Sequence, residues 1–328
     1  MYRTSANKIT LCYTLPISRR ELRKISNAGR RDLAVVTDFV DLASRTSVFI
    51  AGSGRSGTTW LQELINHRGD HRVIFEPFAH AVVPLCSHFN RRQYLRDADN
   101  SSEFLEPLNK ILSGDFRNDW TDQYNKRKIY KKRLIKDIRG NLLLHWLHLR
   151  FPEIPIVFIM RHPCAVIASQ LRMDWRLNVN FLLEQKELVE DFLEPYAYLL
   201  SRPLLAIDHL TLIWCVENYI PLKQFRAGKM LLIFYEELLQ NPEREVERIF
   251  RFIGQPVRTS AFTQHRRPSA EARAWSAVVT GDDLLDSWRK YLDSFQIARI
   301  LYFVRLFGLH RIYGEETMPR SEFALAQR

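Results

Sequence analysis

Cysteine is scarce in this sequence and never paired. The four residues, Cys12, Cys86, Cys164 and Cys215, lie far apart and form no C-x-x-C motif. That spacing argues against a disulfide framework and against a thiolate zinc site, and no metal site is expected. Reduced, buried thiols fit an intracellular setting. Long apolar runs are missing too. No stretch reaches the roughly 18–20 residues of a membrane span. The N-terminal region Ile9–Ile17 is broken by Thr10, Thr14 and Pro16 and followed by Arg19 and Arg20, unlike a secretion signal. The expectation is a soluble, unprocessed, cytoplasmic chain. Acidic residues are in deficit: 37 Asp and Glu face 48 Lys and Arg, a net charge of +11. Such an excess favours anionic partners without choosing among them. A nucleic-acid-binding module would join the charge to a recognition motif, and none is present. Internal repeats and low-complexity tracts are also lacking.

What is present is an alternation of short apolar runs and helical patterns. Ser47–Ala51 (SVFIA), Val73–Phe75, Arg133–Ile135, Ile156–Met160 (IVFIM) and Met230–Phe234 (MLLIF) read as strands, with Arg133–Ile135 the weakest. Helical spacing marks Leu33–Leu42, Thr58–Asn66, Asn141–Arg150, Pro163–Leu171, 181–200, 204–226, Pro242–Ile253 and Phe295–Phe307. The order predicts an α/β fold of the P-loop type, a mainly parallel sheet with helices on both faces. One domain is expected over 46–314, with a mostly helical insertion at 84–130. It is preceded by a basic extension (1–45) and followed by a loose tail (315–328). In such sheets ligands sit beyond the carboxyl ends of the strands.

The first strand runs into Gly52-Ser53-Gly54-Arg55-Ser56-Gly57-Thr58-Thr59-Trp60. Glycines let the backbone turn tightly, so that successive N–H groups converge on one anion beside a helix N-terminus. The spacing approaches the nucleotide P-loop, G-x-x-x-x-G-K-[ST], with Gly52, Gly57 and Thr59 in register. Thr58 stands where the lysine should be. That lysine reaches the β- and γ-phosphates of a nucleoside triphosphate, so a P-loop kinase of a nucleotide or small molecule is the lesser alternative, with Asp137 its one tempting magnesium ligand. Arg55 supplies a cation three residues earlier.

GRSGTTWL resembles the 5′-phosphosulfate loop of the sulfotransferases that use 3′-phosphoadenosine 5′-phosphosulfate (PAPS), nearer to the bacterial and carbohydrate branch than to the phenol and steroid branch. The resemblance covers about residues 47–310. It implies that Arg55, Ser56, Gly57, Thr58 and Thr59 hold the 5′-phosphosulfate, and that no metal is required. Trp60 either stacks on the adenine or packs in the core. A second signature follows IVFIM: Arg161-His162-Pro163 and, eight residues after the arginine, Ser169. This matches the family's 3′-phosphate motif, charge from one side and a hydroxyl from the other; His162 is read as structural. Phe234-Tyr235-Glu236-Glu237-Leu238 before Asn241-Pro242 matches a third, making Tyr235 a secondary cofactor candidate beside a core role. The stretch from Arg267-Pro268-Ser269 to Tyr291 resembles the family's closing region, which nominates Arg266, Arg267 and Ser269. It lacks the R-K-G-x-x-G-x-W form of the cytosolic branch.

Sulfuryl transfer needs in-line geometry, donors for the leaving oxygen and a base for the acceptor proton. Arg55 is placed for the leaving group. Lys136 aligns with a family lysine that holds the sulfuryl group; a solvated lysine in a basic stretch is the other reading. The histidine that phenol and steroid members carry two residues later is Ile138 here. Glu76, in F-E-P-F at a strand end, is the substitute base, with a pKa raised by desolvation. An ion pair with Arg72 or another cation is its competing role, and His80 is the next candidate. The departure tilts the expected acceptor toward a glycan or other polyhydroxyl, with no nucleic-acid partner and no predicted oligomeric state.

Overall fold

The computed structural model describes residues 47–200, 202–257, 261 and 267–322, together with the backbone of Thr37 and Asp38. Five parallel strands form the main sheet: β2 (Ser47–Ala51), β3 (His71–Phe75), β5 (Lys132–Asp137), β6 (Ile156–Met160) and β7 (Leu231–Phe234), in the order β3-β5-β2-β6-β7. β1 (Thr37–Asp38) and β4 (Ile129–Tyr130) pair separately, also in parallel. The helical pattern read over Leu33–Leu42 is therefore interrupted by a strand at Thr37–Asp38; its other residues lie outside the described ones. The weak run Arg133–Ile135 proves to be the core of a six-residue strand between β3 and β2.

Alternation along the strands divides the apolar residues between two faces. Val48, Ile50, Leu134, Val157, Ile159 and Ile233 face a smaller cluster with α1 (Thr58–Ile65), in which Trp60, Leu61 and Leu64 are buried. Phe49, Ala51, Ile135, Phe158 and Met160 face a larger one. The main helices on that side are α2 (Ser102–Leu112), α3 (Leu144–Arg150), α4 (Pro163–Arg172) and α5 (Ala206–Gln224). Beyond β7, α6 (Tyr235–Gln240) and α7 (Pro242–Phe252) complete the smaller face through Leu238, Val246, Ile249 and Phe250, and α8 (Ser294–Leu306) returns to the larger. Helices thus cover both faces. Among the described residues no helix is long and apolar enough to cross a membrane.

The pattern at 181–200 breaks into short turns, Asn180–Leu183, Lys186–Leu188, Val189–Leu193, Glu194–Tyr196 and Ala197–Leu200. Gln185 is extended, and Pro195 cannot donate the N–H an α-helix needs there. Within 84–130 the regular elements are α2, a 3-10 turn at Pro84–Cys86 and β4; the rest is loop. Two sheet arginines anchor this segment. Arg72, fully buried, pairs with Asp122 at 2.9 Å and donates to the Gly114 and Phe116 carbonyls at 2.5 and 2.6 Å. Arg133, equally buried, donates to the carbonyls of Leu112 and Ser113. Both cations therefore sit at the negative end of α2. The stretch after residue 314, read as loose, is tied down as far as Arg320: Arg289 donates to the Glu315 carbonyl at 2.6 Å, Thr317 to Asp286, and the Arg320 amide to Ile312 at 2.9 Å.

Candidate active site

The loop between β2 and α1 lies at the carboxyl edge of the sheet. Gly57 turns into the helix at φ 95°, and a Cβ there would meet the Tyr235 ring at 2.7 Å. Arg55 holds φ 80°, a left-handed conformation costly for a side-chain-bearing residue. Helices of the larger face brace the turn. Asn218 on α5 donates to the Ser53 hydroxyl at 3.1 Å, and Gln170 on α4 to the Gly54 carbonyl at 3.0 Å. The Ser56 hydroxyl is fully buried and has no hydrogen-bond partner among the described residues. A buried hydroxyl is not left so without cost. Here it sits in a glycine turn ahead of a helix N-terminus, and an anionic oxygen is the partner that suits it. Thr58 and Thr59 open α1 and are buried. Trp60 is buried in the smaller cluster and packs edge-on against Tyr235 at 5.2 Å.

Residues far apart in sequence meet at this loop. Arg55 Nε donates to Ser169 Oγ at 3.0 Å. Arg161, at the end of β6, lies over the Tyr235 ring at 4.0 Å and donates to the Arg55 carbonyl at 3.3 Å. Burial, then the neighbouring Arg161, pushes the Arg55 guanidinium down to about 10, a cation still but one short of counter-charge. Glu236 locks the arrangement from behind, accepting from the His162 amide and the Tyr313 hydroxyl, each at 2.8 Å. His162 is structural, as expected: its ring accepts from the Cys164 amide, contacts the Gly314 carbonyl and stacks on Trp288.

The closing region reaches the loop by other atoms than those nominated. Arg55 and Arg161 donate to the Glu271 and Leu284 carbonyls, both at 3.5 Å. The Ala270 amide meets Glu63 of α1 at 2.7 Å. Arg267 is exposed and Ser269 half-buried. Arg266 lies outside the described residues.

At the ends of β3 and β5 a second constellation forms. Glu76 is buried with φ 44°. Lys136, 2% exposed rather than solvated, donates to Glu76 Oε1 at 2.7 Å and lies over the Phe75 ring at 4.2 Å. Arg139 takes Oε2. This corrects the expected pKa: burial pushes the Glu76 carboxyl up, but the charges of Lys136 and Arg139 outweigh it and hold the group at about 2. Its ion pair is with these two residues, while Arg72 belongs to Asp122. Asp137 accepts from the backbone amides of Phe78, Arg139 and Gly140, so it shapes both turns that carry the pair. Burial lifts its carboxyl to about 6. His80 is half-buried, and burial followed by the charges of Arg139, Arg91 and Arg92 pushes its pKa down. Its Nδ1 has no partner among the described residues. Tyr124 joins the two constellations, its hydroxyl on Glu271 and its ring against Phe75.

Sequence reasoning missed Arg139, Asn218, Gln170 and Tyr124. A signal existed for one of them: Glu217-Asn218 interrupts the apolar run of α5, and both are buried. Arg139 follows a strand end by two residues, where charge is common.

The nodulation protein NoeE of Sinorhizobium fredii (strain NBRC 101917 / NGR234) is 27% identical over 214 residues, 63% of this chain and 49% of NoeE, so the match spans about half of that protein. Among solved structures, the sulfotransferase domain from the curacin biosynthetic pathway aligns over 79% of this chain and 96% of its own, at 14% identity and TM-score 0.43. Mouse sulfotransferase SULT7A1 complexed with PAP aligns over 87% and 88%, at 15% identity and TM-score 0.38. The model of the Sulfotransferase family matches residues 47–259, from the first strand of the sheet past its last, and the chain therefore belongs to that family.

Proposed function

We propose that this chain transfers a sulfuryl group from PAPS to a hydroxyl of a glycan or other polyhydroxyl acceptor. The observation that carries the reading is the meeting of Arg55, Ser169, Arg161 and Tyr235 at the glycine turn, with the buried Ser56 hydroxyl beside them. PAPS supplies an activated S–O bond whose cleavage leaves charge on a phosphate oxygen. Arg55, with the backbone amides of the turn, offsets that charge. Arg161 and Ser169 hold the 3′-phosphate, and Tyr235 supports Arg161 from below.

Among the described residues Lys136 has one hydrogen-bond partner, Glu76 Oε1, and exchanges it for a sulfonate oxygen when the donor is present. Glu76 then keeps Arg139 on Oε2 and has Oε1 free for the acceptor proton. Loss of one adjacent cation also raises its basicity. His80, whose pKa burial pushes down and whose Nδ1 has no partner among the described residues, is the second reading for the base. Asp137, whose two oxygens serve backbone amides, speaks against the kinase alternative. Calorimetry with 3′-phosphoadenosine 5′-phosphate (PAP) and with Mg·ATP tests the proposal. PAP binds more tightly if it holds, and tighter Mg·ATP binding overturns it.

A further inference from the structure

Beyond Glu76 the protein gathers more positive charge than its own carboxylates use. Arg139 is committed to Glu76. Arg92, buried and at φ 57°, pairs with Glu217 of α5 at 2.5 Å. The next residue of α5, Asn218, braces the donor loop through Ser53. One helical turn therefore ties residues 91–92 to the edge of the site. Arg91 has no such commitment. Its guanidinium lies over the Phe181 ring at 5.3 Å, and its Nη2 is buried without a hydrogen-bond partner among the described residues. Burial, then Arg92 and Arg139, pushes its pKa down to about 9, opposed only by Glu217.

A partly buried guanidinium held among other cations is destabilising on its own. Phe181 fixes its position but cannot neutralise it. Structures keep such groups where a ligand completes them, and a planar fork beside a second arginine suits a carboxylate, phosphate or sulfate. In the proposed reading the donor's 5′ and 3′ groups already have Arg55 and Arg161, and Arg91 neighbours Arg139, which holds Glu76.

Resting on the sulfotransferase reading, we infer that the acceptor is a polyhydroxyl compound bearing an anionic group, and that Arg91, with Arg139, binds that group while Glu76 faces the reacting hydroxyl. The subsite selects acceptors by charge, and it orients them because the anion and the hydroxyl are held at two fixed points.

Calorimetric titration of the PAP-saturated protein with glucose, glucuronate and glucose 6-phosphate tests this. The two charged sugars bind at least about tenfold more tightly than glucose, the scale of one charge-assisted hydrogen bond. R91A erases that advantage, and R91K, which keeps the charge but not the fork, retains part of it. Without ligand, R91A melts no lower than wild type, because the change removes a partly buried charge that no carboxylate pairs with among the described residues. Equal binding of the three sugars by wild type overturns the inference, as does an advantage that survives R91A. A fall in PAP affinity in R91A also overturns it, by assigning the residue to the donor. The same titration without PAP keeps the sugar comparison readable if PAP fails to bind, so the two readings fall separately.

Discussion

Four residues with side chains take positive φ among those described: Arg55, Glu76, Arg92 and Asp174. Three of these belong to the donor loop, the proposed base and the acceptor-side cluster, where strain is tolerated for the sake of position. Arg55→Ala is expected to lower kcat by about two orders of magnitude, the scale of losing one oxyanion-type donor; turnover within a few-fold of wild type, with labelled PAPS, refutes the role. Glu76→Gln keeps a partner for Lys136 but not a base. It should abolish transfer while PAP binding stays measurable, and an active E76Q enzyme hands the role to His80. The sequence made Arg55 legible because its neighbours fix its meaning. Glu76 was nominated as a carboxylate at a strand end and given the wrong pKa, because its second counter-ion is Arg139, whose side chain folds back in a way that spacing does not encode.

Strands and long helices were legible wherever one face is uniformly apolar, as in β2, β6 and α7. The run at 181–200 failed because helical spacing survives when a chain is broken into single turns, whereas the N–H that Pro195 lacks does not. The junction of β6 and α4 carries a pH response. Burial drives His162 from its ordinary value of 6.5 to about 4, so the folded ring stays neutral while the unfolded one takes a proton. Its contribution is present in full above about pH 6.5 and is lost as pH falls toward 4. His162→Asn keeps a cap acceptor for the Cys164 amide without titrating. The melting temperature of wild type relative to H162N should therefore decline on acidification through that window. A gap that stays constant with pH shows that His162 does not titrate there.

For the molecule as a whole, the fold was legible because a parallel sheet covered on both faces leaves a simple record, apolar strands between amphipathic helices. How the 84–130 segment attaches was not. Its anchor is a pair of arginines inside strands, where charge reads as exposure and proves to be burial. Arg72→Met leaves Asp122 buried without its counter-ion and should cost about 3–5 kcal/mol in urea unfolding; a loss below 1 kcal/mol shows the pair to be dispensable.

That anchorage also bears on how the 84–130 segment could be exchanged between relatives. Arg72 and Arg133 spend most of their described donors on main-chain carbonyls, at Leu112, Ser113, Gly114 and Phe116. Carbonyls carry no residue identity, so beyond the carboxylate that Asp122 gives Arg72, nearly any sequence that ends a helix at that point can satisfy the two arginines. The segment is a cassette whose socket is read by main-chain carbonyls and one carboxylate: elsewhere its surface is free to diverge, and a graft succeeds or fails on where its helix stops and on whether Asp122 is kept.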